Sequence, residues 1–135
     1  MAGDGLTILF FDDSEAALTA VAVELAEHGH EVHTAQTANE AAAVVASCDL
    51  IIVDFHMPEI DGAAALRQLK PRARGEDATL FYLYTADTSV AMSFKELGFD
   101  GAFIDKGDVT ALPSQVDVAA RRLRLRQFRK RRSSG

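Results

Sequence analysis

The chain has no tryptophan, three prolines and one cysteine in 135 residues. A single cysteine, Cys48, cannot close an internal disulfide, so a disulfide-built secreted scaffold is excluded and a reducing, cytoplasmic compartment is expected. Cys48 is expected to be a small thiol buried near the end of a helix. No apolar run approaches the ~20 residues a membrane span needs, so no membrane insertion is expected. The first ten residues, MAGDGLTILF, lack a positive n-region and do not read as a secretion signal. Acids are missing from the end of the chain. All 20 lie before residue 121, whereas eight of the 14 bases lie in RRLRLRQFRKRRSSG, residues 121–135. Twenty acids against six bases give residues 1–120 a net charge of −14, and the tail carries +8. The body should repel nucleic acid and the tail could attract it.

What is present is ordinary for a globular domain: 48% apolar and 25% charged residues, in a length that makes one domain with a genuine core. There is no repeat, low-complexity tract or internal linker. LTILFF (6–11), LIIVDF (50–55) and TLFYLYT (79–85) are short apolar runs that read as strands covered on both faces. HEVHTA (30–35) alternates and reads as a strand nearer the sheet edge; GAFID (101–105) is a last short strand. Between them lie helical patterns: Ser14 to His28 with Gly29 as its stop, Thr37 to about Ser47, Gly62 to Lys70 stopped by Pro71, Thr88 to Leu97 ended by Gly98, and Val109 to Phe128. Five strand-then-helix repeats predict an α/β fold: a parallel sheet, helices on both faces, right-handed crossovers. In such sheets ligands bind beyond the carboxyl ends of the strands, so those residues are the candidates.

Asp12 and Asp13 follow the first strand, Asp54 ends the third, Thr85 and Asp87 follow the fourth, and Lys106 follows the fifth. Each has a bland reading when taken alone: a helix cap, a turn former before Pro58, a strand hydroxyl, a solvated lysine. Together they do not. Three acids gathered at one edge repel one another unless something positive sits among them. An all-oxygen site with few protein donors suits Mg2+, and Mn2+ could substitute. His28, His30 and His33 match no zinc spacing and lie around the start of the second strand, away from this edge. A carboxylate beside a divalent cation and a lysine is also a nucleophile for phosphoryl transfer, and Asp54, on the central strand, is the best placed.

These motifs, FFDDS, VDFHMPEIDG, YTAD and FIDKGD, resemble the receiver domain of two-component response regulators, in its chemotaxis-type single-domain form. The resemblance covers residues 5 to 128. It implies a flavodoxin-like (βα)5 three-layer fold with strand order 2-1-3-4-5, and phosphorylation of Asp54 by a histidine kinase or histidine phosphotransfer protein. It implies that Asp13, Asp54 and the backbone carbonyl of His56 contact the metal, with Asp12 acting mainly through water. Thr85 and the aromatic Phe103 are implied as switch residues. Together they would rearrange a face made by the fourth helix, fifth strand and fifth helix, through which a downstream target, or a second copy, is engaged. His56 and Asp87 are implied to tune loss of the phosphoryl group. The domain is then no conventional enzyme, although it catalyses its own phosphorylation and dephosphorylation. One departure is that the family usually has proline after this lysine, and here the residue is Gly107. The chain divides as a receiver, 1–130, and a basic tail, 131–135, and is either stand-alone or a piece of a longer regulator.

Two rival classes fit less well. A phosphatase of the haloacid dehalogenase type wants a second aspartate two residues beyond the nucleophile, where His56 stands. A flavin-binding module wants a phosphate-cradling loop after the first strand, where FFDDS offers acids. The basic tail reads first as a solvated helix end, then as a dock for an acidic partner or for the chain's own body; nucleic acid is the least favoured reading.

Overall fold

Uncharged strands of five residues hold their shape only when both faces are covered, and the fold does this with two helical layers. The computed structural model describes residues 5–75, 77–104 and 106–134, the last four in their backbone course alone. In chain order the elements are β1 (Thr7–Phe11), α1 (Glu15–Glu27), β2 (Glu31–Ala35), α2 (Ala38–Val44), β3 (Leu50–Asp54), α3 (Gly62–Leu69), β4 (Leu80–Tyr84), α4 (Thr88–Met92), β5 (Gly101–Phe103) and α5 (Leu112–Ser134). The sheet runs β2-β1-β3-β4-β5, with every pair parallel. This is the expected flavodoxin-like order. Its direction reverses between β1 and β3, so the crevice for a ligand opens beside the ends of those two strands.

Alternation along the strands assigns the two cores. Ile8, Phe10, Ile52, Tyr82, Tyr84 and Phe103 pack with α1 and α5. Leu9, Phe11, Ile51, Val53, Phe81 and Leu83 pack with α2, α3 and the segment leading to β5. All five residues of β3 are buried, and so are all five of β4. The edge strand β2 has exposed positions, in keeping with its alternating sequence.

Helix starts follow from local chemistry. Ser14 Oγ accepts from the Ala17 N–H at 3.2 Å, Thr37 Oγ1 from Glu40 at 3.2 Å and Asp61 Oδ1 from Ala64 at 2.8 Å. Gly29 ends α1 with φ +91°, in the left-handed region.

Three helices differ from expectation at their ends. Helical winding does not stop at Pro71: a 3-10 turn runs over Lys70–Arg72, and proline suits a first turn because its missing N–H has no partner to lose. α4 ends at Met92, five residues before Leu97. Beyond it Ser93 and Phe94 bond to carbonyls three residues back, and Ser93 Oγ donates to the Ser89 carbonyl at 3.1 Å, competing for the acceptors that regular winding would use. α5 begins at Leu112, after a 3-10 turn over Val109–Ala111, and continues to Ser134, across the boundary drawn at residue 130.

Cys48 is fully buried; its Sγ donates to the Val44 carbonyl at 3.3 Å, and burial pushes the thiol up to about 11. Gly101 is needed for a different reason. A Cβ there would meet Tyr82 Cε2 at 2.6 Å, and that ring is already stacked on Phe103 with centroids 4.5 Å apart. Gly101→Ala is therefore expected to cost about 1–3 kcal/mol of overpacking strain, read as a lower urea midpoint with an unchanged m-value; an unaltered midpoint would show that the Tyr82 ring yields freely.

Candidate functional site

The carboxyl ends of β1 and β3 bring three carboxylates together. Asp12 is held from two sides: its N–H donates to the Ala35 carbonyl at 3.0 Å, and its Oδ1 accepts from the Ser14 N–H at 2.9 Å. Asp12 is 1% exposed and Asp54, the last residue of β3, is 3% exposed, while Asp13 is open to solvent. One oxygen from each of Asp12, Asp13 and Asp54 lies within 4.8 Å of the other two.

Lys106 reaches into this cluster from the loop after β5. Its Nζ lies 2.6 Å from Asp54 Oδ1 and 3.3 Å from Asp12 Oδ2. Burial alone would depress the lysine, but the hydrogen bond and charge of Asp54, with Asp12 behind it, hold it above its ordinary value. The contact to Asp12 Oδ2 is an ion pair without hydrogen-bond alignment, and that oxygen, sealed from solvent, has no hydrogen-bond partner among the described residues. One ammonium against three carboxylates leaves the cluster short of positive charge. A buried oxygen with spare acceptor capacity and a wholly oxygen donor set fit a hard divalent cation held by Asp12, Asp13 and Asp54.

Thr85, just past β4, is 2% exposed; its Oγ1 accepts from the Asp87 N–H at 3.0 Å and its own N–H donates to the Phe103 carbonyl at 3.4 Å. Asp87 caps α4, accepting from Ser89 Oγ at 2.8 Å and from the Ser89 and Val90 N–H groups. The Ser89 hydroxyl, then the Val90 N–H, hold the Asp87 carboxyl below the ordinary carboxylate range. Its Oδ2 lies 4.0 Å from Nε2 of His56, whose ring is mostly exposed and stands edge-on to Phe55 at 5.0 Å. The loop carrying His56 is drawn back by the Gly62 N–H, which donates to the Phe55 carbonyl at 3.0 Å; a Cβ on Gly62 would stand 3.0 Å from Phe55 Cα.

Phe103 is buried. Its ring lies in the α1 and α5 layer with Tyr82 and Tyr84, whereas the alternation of β4 turns the Thr85 side chain to the opposite face with Leu83. A backbone bond, from the Thr85 N–H to the Phe103 carbonyl, links the two residues. On the Thr85 face β5 presents Ala102, which is partly buried; beyond the strand comes Ile104, 51% exposed. No aromatic stands at either place. Asp105 lies outside the described residues, as do the side chains of Arg131 and Arg132.

Two supporting residues carry no sequence signature. Gln36 Nε2 donates to the Asp13 carbonyl at 3.2 Å, and the side-chain amide of Gln115 brackets the backbone of Ile104. Part of the basic helix end is engaged by the body. Arg122 Nη1 donates to Tyr82 Oη at 3.0 Å, Arg126 pairs with Asp100 at 3.0 Å and Lys130 with Asp77 at 3.6 Å. Among the described residues no helix is long and apolar enough to cross a membrane.

Comparisons with known proteins agree with this geometry. The family model described as response regulator receiver domain matches residues 8–115. Response regulator MprA of Mycolicibacterium vanbaalenii is 34% identical over 83 residues, which are 60% of this chain and 35% of that protein. Regulatory protein AtoC of Escherichia coli is 29% identical over 129 residues, 91% of this chain and 26% of that protein. The chain thus spans about a third or less of the length of these relatives. Chemotaxis protein CheY4 of Vibrio cholerae superposes with a TM-score of 0.71 at 24% identity, covering 83% of this chain and 96% of that one. At that identity the likeness establishes the fold.

The Lys106 bridge generates a test that needs no ligand. Its raised folded value means that its contribution is fully present below the unfolded value, near 10.5, and is lost as pH rises through the folded one. Lys106→Met is expected to cost about 1–3 kcal/mol at neutral pH in chelator, by urea unfolding, with variant and wild type converging above that window; a variant as stable as wild type at neutral pH would show the bridge to be electrostatically idle.

Proposed function

The chain belongs to the response regulator receiver domain family, and on that premise we propose that it accepts a phosphoryl group on Asp54 and relays its presence to a protein partner. The observation that carries the reading is the meeting of Asp54 with Asp12, Asp13 and Lys106 at the point where strand order reverses. The donor is a phosphohistidine on a histidine kinase or histidine phosphotransfer protein. An oxygen of Asp54 attacks phosphorus, the phosphorus–nitrogen bond breaks, and the imidazole leaves with the bonding pair. Mg2+, or Mn2+ in its place, held by Asp12, Asp13, Asp54 and the His56 carbonyl, would supply the positive charge that lets an anionic group approach these acids.

The remaining work falls to side chains in hand. Lys106 transfers its hydrogen bond from Asp54 to a phosphoryl oxygen, as a compact point charge. Thr85, whose Oγ1 accepts from Asp87, keeps its own proton to donate to another oxygen. Loss of the group is attack by water on phosphorus with release of inorganic phosphate, and the exposed pair His56 and Asp87 flanks the way in, so it tunes that step.

Movement of Thr85 toward the phosphoryl group pulls on the Phe103 carbonyl through its N–H. Phe103 serves as a switch residue that turns with Thr85, linked to it by this backbone bond, and the signal reaches the face formed by α4, β5 and α5. Met92, Ile104 and Val118 are exposed apolar residues on these elements or, for Ile104, just past β5, apt for a downstream target or a second copy. Residues 1–130 act as the receiver, and the basic helix end is an accessory to it, with nucleic acid a poor fit for the acidic body. A cytoplasmic setting follows from the kinase partnership.

Acetyl phosphate or beryllofluoride with Mg2+ is expected to label or occupy Asp54 in the wild type, read by intact mass or by nuclear magnetic resonance; label that persists in Asp54→Asn refutes the assignment. Asp13→Asn is expected to weaken Mg2+ binding about tenfold or more, equivalent to about 1.4 kcal/mol, in a metal titration that an idle Asp13 would leave unchanged.

A further inference from the structure

We infer that Gln115 is a positioning residue for Lys106, acting through the backbone of Ile104. β5 is the last strand of the sheet, so one side of its backbone has no strand beside it. The Phe103 carbonyl points inward and accepts from Thr85. The groups of the next residue therefore face the open edge, where they need other partners. A single side chain supplies both. The Ile104 N–H donates to Gln115 Oε1 at 3.1 Å, and Gln115 Nε2 donates to the Ile104 carbonyl at 3.2 Å. The amide is itself oriented, because Nε2 also donates to the Ala111 carbonyl at 3.2 Å. Gln115 sits in the first turn of α5 and is partly buried, so it behaves as a one-residue strand added to the edge of β5.

The consequence falls on Lys106, two residues further on. Its Nζ must lie within hydrogen-bond reach of Asp54, 2.6 Å, and later of a phosphoryl oxygen. The next residue, Gly107, restrains the loop least of any residue type, and nothing lies within 4 Å of where its Cβ would be. The bracket holds both backbone groups of Ile104, two residues before Lys106. It also ties the lysine to α5, so displacement of α5 by a partner is felt at the lysine.

The inference rests on the proposed role of Asp54 and Lys106, and a double-mutant cycle separates the two. The rate of Asp54 labelling by acetyl phosphate with Mg2+ is measured in wild type, Gln115→Leu, Lys106→Met and the double variant. No label in the wild type ends the proposed function itself. With the wild type labelled, Gln115→Leu is expected to slow labelling about tenfold alone and to change it less than about twofold in the Lys106→Met background, because both substitutions then disable one device. Equal fold losses in both backgrounds, or no loss in either, overturn the inference and leave Gln115 a plain edge cap. If Lys106→Met takes no label, the four urea midpoints decide: non-additive shifts support the coupling and additive shifts overturn it. Gln115→Asn, one methylene too short to span both Ile104 groups, replaces Gln115→Leu in the cycle should the latter not fold.

Discussion

The structure depends on one electrostatic constraint: two buried carboxylates, Asp12 and Asp54, share one ammonium, with a third carboxylate, Asp13, alongside. Two acids this deeply buried would otherwise be costly to keep ionised, and the cost is met by drawing a lysine from the far side of the sheet. The arrangement is satisfied only in part. A sealed Asp12 oxygen still lacks a hydrogen bond among the described residues, and the charge remains negative. A site completed by its own residues would be inert toward an incoming ion. This one retains acceptor capacity where a cation would sit and a cation where an anion would arrive.

The fold exists at this point to hold that imbalance. β3 is buried throughout and β1 from Ile8 onward, and the two pair in register, so the backbone positions of Asp12 and Asp54 are set by apolar packing rather than by the charges themselves. The N-caps add local rigidity: Asp12 accepts from Ser14, which caps α1, and Asp87 caps α4 while its N–H is held by Thr85. Residues that shape the rim are thus also the residues that start helices. On the proposed function, a charge change at the rim would act on a helix start, which would give it a wider readout.

Much of this was legible in the sequence because apolar strands of five residues, cut off by acids, leave little choice. The sheet order, the acid cluster and its lysine follow from strand alternation and from resemblance to one family, and the structure places Asp12, Asp13, Asp54 and Lys106 together. What was not legible depended on single hydrogen bonds and on register. The early end of α4 reflects competition by Ser93 for a helix carbonyl, which no periodicity reveals. Which core the Phe103 ring enters turns on a one-residue register: pairing with Tyr84 puts it in the α1 and α5 core. Gln36 and Gln115 act on backbone groups, so their partners leave no mark on residue identity.

The charge asymmetry of the chain takes on a different meaning in three dimensions. Read linearly, an acidic body and a basic tail suggest a tail free to bind something else. In the fold, α5 lies along the body, and its bases meet acids at the amino end of β5 and in the loop before β4: Arg126 with Asp100, and Lys130 with Asp77. The exposed Lys130–Asp77 pair contributes little, about 0–1 kcal/mol, whereas the Arg126–Asp100 pair is part-buried. Arg122 differs, because it donates both to Tyr82 Oη and to the Asp100 carbonyl, groups that would otherwise face the strand start unpaired. The basic run therefore begins as a seam between helix and sheet. Arg122 and Arg126 are engaged by the body, while Arg121 and Arg124 in the same turns are exposed. A single helix thus carries the Gln115 bracket near one end of the sheet and the Arg122 seam near the other, so the same rigid element is fastened at the site's rim and at the opposite edge. A partner that displaces α5 must loosen at least one of these attachments, and one of the two lies beside Lys106.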